Sequence, residues 1–112
     1  MAVPRVNIEV EQGTDFEATY NVTQSDGSAL NLTNHSLSAK MRKHHSSAGY
    51  VGFGVTFGST PSDGEITISL TDSHTTSLEA GRYVYDVLIT ASGGTKTRVV
   101  EGQVTVNPSV TR

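Results

Sequence analysis

Apolar and polar residues alternate along most of this chain with a period of two, the spacing of strands rather than helices. Val6, Ile8 and Val10 form one such run and Phe16, Ala18, Tyr20 and Val22 a second, with the turn-forming stretch Gln12 to Asp15 between them. Pro4 is compatible with the start of the first strand, because a first or edge position need not donate an N–H to a ladder. Asp26-Gly27 reads as a turn, and the third strand alternates Leu37, Ala39 and Met41 with Ser38, Lys40 and Arg42, so one of its faces is polar. In the fourth, Val51, Phe53, Val55 and Phe57 alternate with Gly52, Gly54 and Thr56, and Gly58 follows. Glycine at those places predicts a bent strand, or one that another backbone approaches closely.

Ile66, Ile68 and Leu70 predict a short fifth strand that runs into the polar stretch from Thr71 to Gly81. The sixth, Arg82 to Ala91, sets Tyr83, Tyr85, Val87 and Ile89 on one face and Val84, Asp86 and Leu88 on the other. It is the longest apolar run, which predicts a central strand. Ser92-Gly93-Gly94 is a hairpin signal, and Thr95 to Asn107 forms the last strand, with Gly102 expected at a bulge and Pro108 ending the strand. Seven short strands at intervals of about 8–12 residues are the pattern of a sandwich with Greek-key links. The expected fold is therefore all-β, an immunoglobulin-like Greek-key β-sandwich of about seven strands, with residues 1–112 as one domain.

Composition narrows the function. Charged residues make up 17% of the chain, too few for a disordered one, and a formal net charge of −3 gives no electrostatic reason to expect nucleic acid or an anionic membrane. The first residues lack the apolar core of a secretory signal, and no run approaches the roughly 20 apolar residues of a membrane span. There is no cysteine, so disulfides, thiolate ligands and cysteine nucleophiles drop out together, and the core must be held by packing.

The stretch from Leu78 to Val87 resembles the corner that opens the sixth strand of immunoglobulin-type sandwiches. Glu79 stands in the acidic place, Gly81 in the small-residue place, Tyr83 as the corner tyrosine and Tyr85 where the second cysteine would be. The resemblance implies that the Tyr85 ring fills the inter-sheet space in place of a disulfide. With no tryptophan on the third strand, Met41 or Leu37 becomes the candidate core filler. The first 43 residues are also similar to β-sandwich modules of bacteriophage virion proteins, including N-terminal modules of baseplate and tail-associated proteins. Gln12-Gly13, Phe16, Asp26-Gly27, Leu32-Thr33 and Arg42 carry that likeness, and Asn34 stands where glycine is usual, a mild departure since Asn tolerates the left-handed region. The resemblance implies a virion structural protein without fixing its station.

Candidate chemistry is sparse. His35, His44, His45 and His74 could offer imidazoles, but adjacent histidines on an extended chain point to opposite sides, and solvated loops are the expected reading. The basic run from Lys40 to His45 is short and without an interleaved aromatic, so it reads as a solvated strand end. Glu9, Glu11 and Glu17 are expected on the solvent face of the first two strands, where charge discourages edge pairing. No nucleophile-elbow, zinc-helix or phosphate-loop motif is present.

The expectation is a non-enzymatic structural component of a bacteriophage virion (tail, baseplate, neck or capsid-decorating), assembled in the host cytoplasm and acting through protein–protein contacts. The alternative is a carbohydrate-binding or adhesion module that meets a host-surface glycan. No catalytic residue, metal or cofactor is expected, and neither a nucleic-acid nor a membrane partner. Expected partners are other virion proteins and further copies of the chain in a homo-oligomer. The expected core includes Val6, Ile8, Tyr20, Leu37, Met41, Phe53, Phe57, Ile68, Tyr83, Tyr85 and Val87. Candidate interface residues are Tyr50, Gly52, Gly54, Val110 and Arg112, from the glycine-flanked strand and the C-terminal tail.

Overall fold

A computed structural model describes residues 5–23, 27–28, 30–58 and 64–110. Among the described residues, eight strands and one short helix follow in the order β1 (Ile8–Glu11), β2 (Phe16–Asn21), β3 (Ser36–Arg42), β4 (Val51–Gly52), β5 (Gly54–Phe57), β6 (Glu65–Leu70), α1 (Asp72–Thr76), β7 (Gly81–Thr90) and β8 (Lys96–Asn107). They form two sheets, of order β1-β8-β7-β3-β4 and β2-β6-β5. The chain crosses between sheets at β1 to β2, β2 to β3, β4 to β5 and β6 to β7, giving the sandwich that the strand pattern predicts. β7 is central, between β8 and β3, and β1 runs parallel to β8 at one edge.

The core lies between the sheets. Val10, Met41, Ile66, Ile68, Val87 and Val104 have no solvent exposure. Each such side chain contributes roughly 1.5–3 kcal/mol relative to exposure, and this packing holds a chain without disulfides. Met41 rather than Leu37 occupies the filler position, and Leu37 is half-buried. Val6, Ile8, Tyr20 and Phe57 pack against the core from its margin, again only partly buried. Leu32 and Leu78 seal the core from loops, where no alternation announced them.

The expected fourth strand is two. β4 pairs with β3 through Met41 and Val51, whereas β5 pairs with β6 from Gly54 to Phe57, so the segment changes sheet at Phe53. The Phe53 ring turns into the core at 7% exposure, and its N–H still donates to the Ala39 carbonyl at 3.0 Å. The flanking glycines therefore face outward from different sheets. The bulge expected at Gly102 lies instead at Val99. Val87 is opposite Val100 and Leu88 opposite Arg98, so Val99 is the extra residue and both valines are buried.

The polar stretch after β6, to which the sequence pattern assigned no element, contains α1. Its first-turn Asp72 N–H donates to the Asp15 carboxylate at 2.8 Å, which satisfies a donor that a helix start leaves open. Thr75 is fully buried, and its hydroxyl donates to the Thr14 carbonyl at 2.7 Å and accepts from the Gly13 N–H at 3.1 Å. The turn between β1 and β2 is thus fastened to the helix. Asn34 has a φ of 65°, the left-handed conformation for which its side chain is suited. Asp26, within the predicted turn, lies outside the described residues, as does Pro4.

Candidate functional site

Three tyrosines fix the scaffold beneath the exposed faces. The Tyr83 hydroxyl donates to the Glu79 carbonyl at 2.9 Å, the corner bond that the sequence resemblance implies. Two residues on, Tyr85 stands in the cysteine position, and its hydroxyl meets that of Tyr20 on the opposite sheet at 3.0 Å. The Tyr85 hydroxyl donates to the Val6 carbonyl at 2.6 Å, so Tyr20 supplies the proton of the Tyr–Tyr bond. Val6 reaches this place because Gly102 has no side chain; a Cβ there would run into the Val6 carbonyl. Phe53 packs edge-on against the Tyr85 ring, centroids 6.1 Å apart, and Phe16 packs on Phe53. Burial pushes the Tyr85 hydroxyl pKa far up and the Tyr20 and Tyr83 values up as well, with the Glu79 charge adding to the rise at Tyr83.

Above this scaffold, the outer face of the five-stranded sheet presents Lys40 and Arg42 from β3, because Ala39 and Met41 take the inward positions. Tyr50 precedes β4 and is 54% exposed. Lys40 Nζ lies 4.2 Å from its ring centre and the Arg42 guanidinium carbon 5.0 Å. Such contacts contribute about 0.5–1 kcal/mol each at exposed positions, enough to hold the ring. The loop before Tyr50 is held by Arg42, whose Nη1 donates to the Ser47 and Ala48 carbonyls at 2.9 and 3.0 Å.

Beside this cluster lies a depression of about 400 Å³ with Val84 and Leu88 on its floor and Lys40, Asp86, Arg98 and Glu101 around it. Arg98 joins Asp86 at 3.2 Å and Glu101 at 3.9 Å, but both pairs are solvated and contribute little stability. The surface suits reversible contact: an ordered aromatic, guanidinium and ammonium groups, and partly exposed aliphatic residues.

Of the sequence-predicted interface residues, Tyr50 and Gly52 lie together on this face, with Gly52 opposite Lys40. Gly54 faces outward from the three-stranded sheet, opposite Ser69. Val110 is almost wholly exposed, next to Ser109, whose N–H donates to Gln12 Oε1 at 3.0 Å, and Arg112 lies outside the described residues. Glu9 and Glu11 belong to one sheet and Glu17 to the other, so the three carboxylates do not share a face. The histidines make local contacts: His35 Nδ1 lies 3.1 Å from the Thr33 carbonyl and His74 Nδ1 3.1 Å from Thr71 Oγ1, while His45 rims the depression.

Lys40 and Arg42, read from sequence as a solvated strand end, are the residues that complete the Tyr50 cluster. The usable signal was their placement on the polar face of a strand whose following loop delivers an aromatic residue.

No family model and no curated protein matches the chain. Among solved structures it is similar to a variant of the SrpA adhesin of Streptococcus sanguinis, at 12% identity and a TM-score of 0.54, over 96% of this chain and 56% of that one. It is also similar to an internalin-like protein of Listeria monocytogenes, at 16% identity and a TM-score of 0.50, over 94% of this chain and 28% of that one. A glycoside hydrolase of Clostridium perfringens matches at 14% identity and a TM-score of 0.47, over all of this chain and 24% of that one. The chain spans little more than half the length of the adhesin and about a quarter of each of the other two. At these identities the likeness is one of fold: the chain is an all-β sandwich with adhesin-like structural neighbours.

Proposed function

We propose that this chain is a non-enzymatic binding module that serves as a structural component of a bacteriophage particle and is held there by protein–protein contacts. The observation that carries the reading is Tyr50, a half-exposed aromatic held in place by Lys40 and Arg42 on an open sheet face. Aromatic and arginine side chains dominate contact energies, and a ring ordered beforehand loses little entropy on binding. The virion assignment draws on the sequence likeness of Gln12-Gly13, Phe16, Asp26-Gly27, Leu32-Thr33 and Arg42 to phage modules. Immunogold labelling of purified phage particles with an antibody to this chain tests it. Label at one repeated station supports the reading, and unlabelled particles from a lysate that contains the chain contradict it.

A second reading, a carbohydrate-binding or adhesion module, is favoured by the fold likeness to an adhesin and by the exposed Tyr50 ring. Two cations over that ring compete with a sugar for its face. Glycan-array binding that is lost in Tyr50→Ala would favour this reading; an array with no binder would dismiss it.

A further inference from the structure

The strand order sorts the charges on the outer face of the five-stranded sheet. Lys40 and Arg42 stand on β3, and Arg82 on β7 is the diagonal neighbour of Arg42, which is opposite Val84. Asp86 and Glu101 lie in the middle of the face, on β7 and β8, and Arg98 joins both. Glu9 and Glu11 share the face but belong to β1 at its far edge, two strand spacings from Arg82 and three from Lys40 and Arg42. At about 4.8 Å per spacing, that places them beyond the Debye length of about 8 Å at physiological salt.

Among the described residues, both ion pairs belong to Arg98. Asp86 is directly opposite Lys40, yet its carboxylate goes to Arg98, and the Lys40 ammonium lies over the Tyr50 ring instead. Arg42 uses only Nη1 to hold the loop carbonyls, and Arg82 is exposed. Beside these cations Val84 and Leu88 floor the depression of about 400 Å³, and β4 ends the sheet with one backbone edge unpaired among the described residues. We propose that this corner of the sheet binds an acidic, extended segment of a partner protein. Its carboxylates meet Lys40, Arg42 and Arg82, and an apolar side chain sits on Val84 and Leu88 beside the Tyr50 ring. This deepens the reading of Tyr50 as a contact residue and rests on it. The unpaired cations supply the charge complementarity, and the aliphatic floor suits a carboxylate-bearing peptide with apolar neighbours. A nucleic-acid strand fits worse, because it carries a charge at every unit and would run onto the Asp86 and Glu101 carboxylates.

The test is titration of the purified protein with a short alternating Asp-Leu peptide at low ionic strength, followed by amide chemical shifts. Saturable shifts are expected in β3, β4, Tyr50 and the Arg82 to Leu88 part of β7, and they disappear as salt is added. Lys40→Glu and Arg82→Glu, both exposed positions, each weaken binding about tenfold or more, whereas Lys40→Arg keeps it. A Lys-Leu peptide of the same length does not bind. Absence of saturable binding at low salt overturns the proposal, as does binding that Lys40→Glu and Arg82→Glu leave untouched. An oligothymidylate strand that binds this corner more tightly than the peptide also overturns it, in favour of a nucleic-acid partner. The contact role of Tyr50 is read separately, on particles. A loss of incorporation in Tyr50→Ala beside wild-type incorporation of Lys40→Glu would overturn the acidic partner and leave that role standing.

Discussion

Tyr20 and Tyr85 meet hydroxyl to hydroxyl at 3.0 Å, one from each sheet, with Tyr85 in the position where an immunoglobulin-type domain has its second cysteine. The two sheets are joined by a hydrogen-bonded chain from Tyr20 through Tyr85 to the Val6 carbonyl. That chain ties three segments at once: β2, β7 and the residues leading into β1. It also suits a chain with no cysteine, since it is indifferent to redox conditions.

Tyr85→Phe removes the donor to Val6 and the acceptor for Tyr20 together. The expected loss is about 1–3 kcal/mol, read as a lower denaturation midpoint in urea. Tyr20→Phe leaves the bond to Val6 intact and costs less. A double-mutant cycle should give a nonzero coupling energy, since the two hydroxyls are in contact. Additive effects would mean that the Tyr–Tyr bond contributes nothing.

Alkaline pH should unfold the protein. Tyr85, Tyr20 and Tyr83 have folded-state pKa values raised by burial, so their neutral forms are favoured in the native state. A group with a raised folded pKa contributes stability that is complete below its unfolded pKa, here about 10, and is lost as pH rises beyond it. Thermal melting should be insensitive to these groups up to about pH 9 and decline above about pH 10. Tyrosinate absorbance and circular dichroism should then change together for the buried tyrosines. Free titration of every tyrosine with the fold intact would contradict this.

Gly102→Ala should displace the segment before β1. The added methyl meets the Val6 carbonyl, which the Tyr85 hydroxyl needs, and the backbone has to shift. A cost of about 1–3 kcal/mol is expected for overpacking. The local readout is amide exchange: the Val6 N–H, which donates to the Glu101 carbonyl at 2.8 Å, should exchange faster in the variant. Unchanged protection would show that the segment is not held as described.

Tyr83→Phe should cost about 0.5–1.5 kcal/mol through loss of the bond to the Glu79 carbonyl. Because that bond closes the turn into β7, amides from Leu78 to Gly81 should exchange faster while those of β2 stay unchanged. Uniform destabilisation without that local signature would place the role of Tyr83 in ring packing alone.

Strand positions and the corner tyrosine were legible in the sequence because each depends on a local rule, period-two alternation or a short motif. The break at Phe53 was legible only as a bend. A change of sheet leaves the alternation of Val51, Phe53 and Val55 intact, so periodicity cannot tell a crossing strand from a continuous one. Gly102 announced an unusual place, but its reason was the approach of Val6, almost a hundred positions earlier in sequence. α1 was missed because its five residues have weak helix propensity and depend on Asp15 and Thr14 of a distant turn. The candidate site was half legible. Tyr50 and Gly52 could be named, but the cations over the ring depend on the β3–β4 register and on the loop that Arg42 holds.

Incorporation of Tyr50→Ala into phage particles tests the central claim most directly. The side chain is exposed, so the variant should stay folded, with a loss of stability no larger than the about 1–2 kcal/mol of its two cation–π contacts. Copies of the chain per purified particle, counted by quantitative mass spectrometry, should fall about tenfold or more relative to wild type. Incorporation at the wild-type level by a folded Tyr50→Ala protein would contradict the account.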